Sequence, residues 1–170
     1  MICDRNEDGD ERMSGRYDEM VGLARAYCEL IEGAERIDAE WLHKVAVLLP
    51  RLHGAVVALG SVVDEGGADD PLDGDLDARF ELFAELRQLL GSWDGYWMEF
   101  DVAQDGQSMS GSLADDLTDI YCELKHGLRL LEQQPGQALE EWRSGYRVHW
   151  GQHLLDAERH LYTLKNRKQF

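Results

Sequence analysis

Apolar residues recur at i, i+3, i+4 and i+7 in one segment of this chain after another, and that period is the signature of an α-helix with one buried face. The first such stripe is Tyr17, Met20, Val21, Ala24, Tyr27, Cys28 and Ile31, with Gly33 placed to end it. Asp38 stands where a helix cap is needed, and Leu42, Val45, Ala46, Leu49, Leu52, His53, Val56 and Leu59 follow it. Pro50 interrupts that stripe, which predicts a kink or a break there. A third helix is expected after Asp77, with Phe80, Phe83, Leu86, Leu89 and Leu90 on one side. Ser112-Leu-Ala-Asp115 has the form of a capping box and opens a helix whose face is Leu113, Leu117, Ile120, Tyr121, Leu124, Leu128 and Leu131. Pro135-Gly136 then separates it from a long final helix bearing Leu139, Trp142, Tyr146, Trp150, Leu154, Ala157, Leu161 and Leu164. The aromatic stretch Trp93–Phe100 reads as a short helix lying across the others. No segment alternates with a period of two, and no internal repeat is present. The expected fold is therefore all-α: an up-and-down bundle of about five long helices plus a short aromatic helix. Residues 1–14 read as a disordered acidic arm, and residues 15–167 as a single helical domain.

Charge narrows the choice of partners. The 170 residues hold 34 acids against 17 bases, a formal charge of −17. Nucleic-acid binding draws most of its affinity from cations on phosphates, so no nucleic acid is expected as a partner. Arg143 with Arg147 is the one place where a local basic patch could arise. Anionic membranes are disfavoured for the same reason, and no apolar run approaches the roughly 18 residues of a membrane span. A protein partner with a basic surface, or a divalent cation, remains compatible with this charge. The cysteines, Cys3, Cys28 and Cys122, are odd in number and form no C-x-x-C pair. With no apolar leader at the N-terminus, they point to a reducing, cytoplasmic location.

Two stripes of polar residues sit where a plain bundle has no use for them. At about 100° per residue, His149, His153, Asp156 and His160 fall in one narrow sector of the final helix, beside its apolar face. On the preceding helix, Asp116, Asp119 and Glu123 line the flank of the Leu113–Leu117–Leu124 seam. A tight Pro-Gly link makes the two helices antiparallel. Asp116 and His153 lie at similar distances from that link, roughly 27–30 Å at about 1.5 Å per residue, so the stripes can face each other. The candidate cluster is Asp116, Asp119, His149, His153 and Asp156. Its first reading is a buried hydrogen-bond network that fixes helix register, with no cofactor. The alternative is a divalent metal such as zinc or manganese, because His-x₃-His places two imidazoles one turn apart. Acid–base catalysis ranks last, since neither a nucleophile nor an anion cradle accompanies the cluster. His53 reads as a core histidine, and His43 and His126 as surface ones. The acidic loop at 61–76 fails as a calcium loop: counted from Asp73, its sixth and twelfth positions hold Ala78 and Ala84, not Gly and Glu.

The segments Tyr17–Glu32, Leu48-Leu-Pro-Arg-Leu52, Asp77-Ala-Arg-Phe-Glu81, Gly111-Ser-Leu-Ala-Asp-Asp-Leu-Thr-Asp-Ile-Tyr121, Lys125-His-Gly-Leu128, Trp142-Arg and His149-Trp-Gly-Gln-His153 together resemble an uncharacterised bacterial family, domain of unknown function 5063. The resemblance covers nearly the whole chain beyond the N-terminal arm and the acidic loop. It implies a helical fold and a bacterial source, and no reaction. The family is expected to carry Tyr where this chain has His53, which speaks against His53 as a ligand. From the residues and the resemblance together, the chain is expected to be a non-enzymatic helical interaction module of the bacterial cytoplasm, with metal binding through the Asp/His cluster as the alternative.

Overall fold

Six α-helices and one small hairpin make up the described residues, 7–60, 76–98 and 109–170, of a computed structural model of the chain. Helix α1 runs Glu7–Glu32 and α2 runs Ala39–Ala58. Helix α3 runs Leu76–Leu90, α4 Leu113–Leu131, α5 Pro135–Gly145 and α6 Gly151–Asn166. Helix α4 packs against α1, α3, α5 and α6, and α1 and α2 pack on each other. The buried residues of these helices form one contiguous apolar cluster. Leu113, Leu117, Ile120 and Leu124 of α4 are fully buried in it; each such side chain is worth about 1.5–3 kcal/mol of burial. Tyr27 lies wholly inside the cluster, and its hydroxyl escapes an unpaired burial by donating to the Leu117 carbonyl at 2.9 Å.

The helix ends follow local chemistry. The Asp38 carboxylate accepts from the Trp41 backbone N–H at 3.0 Å, and Ser112 Oγ accepts from that of Asp115 at 3.2 Å. Helix α1 begins at Glu7, so the expected arm is helical over half its length; residues 1–6, like the acidic loop at 61–75, lie outside the described residues. Helix α2 is unbroken at Pro50. That residue is exposed, and on an exposed face the carbonyl it leaves without a helical partner can reach water.

Three expectations fail in an instructive way. The aromatic stretch is not a helix. After a 3₁₀ turn at Gly91–Trp93, Gly95–Met98 form strand β1, paired antiparallel with β2, Met109–Ser112. Gly91 at φ +53° supplies a left-handed conformation that ends the helical path, and aromatic residues suit a strand whose sides alternate between bundle and solvent. Tyr96 is half-buried and Trp97 exposed, as that alternation requires. The long final helix is also not uniform: between α5 and α6 it passes through a π-helical turn, Tyr146–Trp150. In α3, Phe80 lies 68% exposed instead of in the core; only Leu86 and Leu90, near the helix's C-terminal end, are buried.

Candidate metal centre

Asp116, Asp119 and Glu123 occupy i, i+3 and i+7 of α4, so their carboxylates share one face, and all three are buried. Buried carboxylates are costly unless paired. The partners come from four other elements. His153, in the first turn of α6, places Nδ1 2.9 Å from Asp116 Oδ1 and Nε2 3.1 Å from Asp119 Oδ2. His149, inside the π turn, places Nδ1 2.9 Å from Glu123 Oε1 and Nε2 3.9 Å from the same Asp119 Oδ2. Arg79 of α3 donates from Nε to Asp119 Oδ1 at 2.8 Å and from Nη2 to the same oxygen, and it lies 3.7 Å from Asp115. The Tyr96 hydroxyl of β1 donates to Asp116 Oδ2 at 2.5 Å.

The backbone here is shaped to allow these approaches. A π turn inserts an extra residue into a helix and is frequent at functional sites. Gly151 makes this one possible, since a Cβ there would stand 2.3 Å from the Tyr146 carbonyl oxygen. At Gly145 a Cβ would come within 2.8 Å of Glu123 Oε2, so the glycine leaves room for the carboxylate that holds His149. The end of α4 that bears Asp116 is fixed by Asp94, whose Oδ1 accepts from Ala114 N and Ser112 Oγ, each at 2.8 Å.

Of the five residues expected in the cluster, four converge. Asp156 does not join them. It is buried one turn beyond His153, but its oxygens are engaged by Gln152 at 2.9 Å and Arg159 at 3.5 Å, both on its own helix. His160 likewise turns elsewhere: its Nε2 donates to the Trp93 carbonyl at 2.7 Å, and burial lowers its pKa against that hydrogen bond. Arg79 and Tyr96 were not foreseen. No periodicity marks either one; Arg79 lies on α3 and Tyr96 in the stretch expected to be a short helix lying across the others. His53 is half-buried, with Nδ1 3.6 Å from Glu158 Oε1.

Electrostatics favour cations here. Burial opposes charge on His153, but the hydrogen bond to Asp116 and the charges of Asp119, Asp116 and Asp115 outweigh it and raise its pKa above the ordinary value. Ligand-type atoms from Asp119, His149 and His153 lie within 4.8 Å of one another. Bonds of about 2.0–2.2 Å to one ion place such atoms roughly 3–4 Å apart. Among the described residues, the two cysteines offer no competing chemistry: burial pushes Cys28 up to about 12 and Cys122 up to about 11.

Fold and site together define a helical-bundle protein with a histidine–carboxylate cluster between α3, α4 and the joined α5–α6 rod. The chain belongs to the family described as Domain of unknown function (DUF5063), whose model matches residues 11–167. Its structure is similar to the crystal structure of protein BF1032 from Bacteroides fragilis, with a TM-score of 0.70 and 20% sequence identity over 86% of this chain and 90% of that one. At that identity the likeness shows the fold alone. No curated protein matches the chain. No helix among the described residues is long and apolar enough to cross a membrane.

Proposed function

We propose that this protein binds a divalent transition-metal ion through His149 Nε2, His153 Nε2 and Asp119 Oδ2. One observation carries the reading: each imidazole is tied through Nδ1 to its own buried carboxylate, Glu123 or Asp116, and both Nε2 atoms are turned toward a single Asp119 oxygen. A metal-ligating histidine is ordinarily held in this way, its second nitrogen donating to a carboxylate that fixes the ring and raises its basicity. Two imidazoles and one carboxylate suit zinc, manganese or iron(II) better than calcium or magnesium, which prefer all-oxygen shells. Both histidines are partly exposed, which gives an ion a route in from solvent. Free, high-pKa thiols at Cys28, which is buried, and Cys122, which is half-buried, fit a reducing cytoplasmic setting.

A second reading has its own observation. His153 has a carboxylate oxygen within 3.1 Å of each ring nitrogen, the arrangement of an imidazolium donating twice. On that reading the cluster is a structural clamp between α4 and α6. The two readings separate on metal analysis of protein prepared without an affinity tag, followed by thermal unfolding with Zn²⁺, Mn²⁺ or EDTA. Stabilisation by metal, reversed by EDTA, supports the ion site. A midpoint that none of the three moves refutes it and leaves the clamp.

A further inference from the structure

We infer that Tyr96 is a positioning residue of this site: from the β-hairpin it fixes Asp116, and through Asp116 the imidazole of His153. The inference rests on the metal reading. Its geometry is independent of the ligand atoms themselves. The Tyr96 hydroxyl donates to Asp116 Oδ2 at 2.5 Å, while the other oxygen of the same carboxylate faces His153 Nδ1 at 2.9 Å. Asp116 is thus held from both sides, and its free rotation is removed. Without the phenol, Oδ2 would be a buried acceptor lacking a partner, and the carboxylate would turn to find one, carrying Oδ1 away from His153.

The hairpin is built to deliver that hydroxyl. Its ring crosses over Gly111, its partner in the strand register; a Cβ on Gly111 would sit 2.2 Å from Tyr96 Cζ. His160 stacks on the ring with centroids 4.6 Å apart, and the Arg159 guanidinium lies 5.9 Å from its centre. The base of the hairpin is pinned to α4, where the Leu113 N–H donates to the Asp94 carbonyl at 2.9 Å. Two short strands that bury little apolar surface thereby gain a defined purpose: they bring one phenol to the carboxylate behind a metal-facing histidine.

The test is Zn²⁺ affinity by chelator competition, with the Co²⁺ d–d absorption spectrum as a second readout, on wild type, Tyr96→Phe, Gly111→Ala and Tyr27→Phe. Loss of an outer-shell partner weakens metal binding about 10–100-fold. Tyr96→Phe is expected to weaken Zn²⁺ by about 10-fold, the low end of that range, and to alter the Co²⁺ bands. Gly111→Ala, which displaces the ring and keeps the hydroxyl, is expected to move affinity the same way. Tyr27→Phe loses a buried hydrogen bond to the α4 backbone at Leu117, beside the cluster but to none of its side chains, and is expected to leave both readouts as in wild type. Wild-type affinity and spectrum in Tyr96→Phe, or an equal loss in Tyr27→Phe, would overturn the inference while leaving the metal site standing. Failure of the wild-type protein to bind Zn²⁺ or Co²⁺ overturns the metal reading and this one together.

Discussion

Asp119→Asn removes one charge from the centre of the cluster while keeping its shape, and its two consequences can be measured apart. In the metal-free protein, Asp119 is 3% exposed and takes two hydrogen bonds from Arg79, whose side chain is about one-third exposed. Hydrogen bonds to a charged partner are worth about 1.5–3 kcal/mol. Arg79 can recover part of the loss from water, so the variant should fall near the lower end. For a chain of this length each kcal/mol moves the midpoint by about 2–4 °C, so metal-free Asp119→Asn is expected to melt some 3–6 °C lower. Zinc should then distinguish the two proteins. A ligand at about 100 times its Kd stabilises by about 2.7 kcal/mol, which corresponds to roughly 5–11 °C here. Wild type should show that rise, and Asp119→Asn little of it, because one of three ligands is now a neutral amide. Differential scanning calorimetry at fixed pH, with and without Zn²⁺, reads both effects. If Asp119→Asn is destabilised yet keeps the full zinc response, Asp119 serves Arg79 alone and its assignment as a ligand is wrong.

The remaining expectations concern pH, backbone and thiols. Because the pKa of His153 is raised above 6.5 in the folded protein, its contribution to metal-free stability should be complete below 6.5 and lost as pH rises through the folded value; the pH dependence of the unfolding midpoint checks this, and its absence in His153→Ala identifies the group. Zinc stabilisation should run the opposite way and grow with pH, since coordination needs the Nε2 lone pair. Gly151→Ala drives a Cβ to 2.3 Å from the Tyr146 carbonyl oxygen, and denaturant titration should show a loss of about 1–3 kcal/mol, the usual cost of overpacking; an unchanged midpoint would mean the π turn is easily remodelled. Buried Cys28, its thiol pushed up to about 12, should react with a thiol reagent at pH 8 only as fast as the protein unfolds, whereas half-buried Cys122, pushed up to about 11, should react in the folded protein but slowly.

How much of this protein was readable before its fold was known depends on how far apart the interacting residues lie. Helix identity, the caps at Asp38 and Ser112 and the buried seam of α4 follow from residues three or four positions apart, and periodicity exposes them directly. The meeting of Asp116 and Asp119 with His149 and His153 was also within reach, because a short link between antiparallel helices converts distance from the turn into height in the bundle. That arithmetic assumes a uniform helix, and it has no means of placing the π turn at Tyr146–Trp150 or of separating Asp156, whose partners lie on its own helix, from His153 one turn earlier. Arg79 and Tyr96 are further still from sequence logic: 40 and 20 residues separate them from Asp119 and Asp116. The sequence by itself determined which faces are apolar and where carboxylates and imidazoles line up along a helix. Only the tertiary structure decided which of them meet, because a buried carboxylate takes whichever donor the packing of α3, α4, α6 and the hairpin brings within reach.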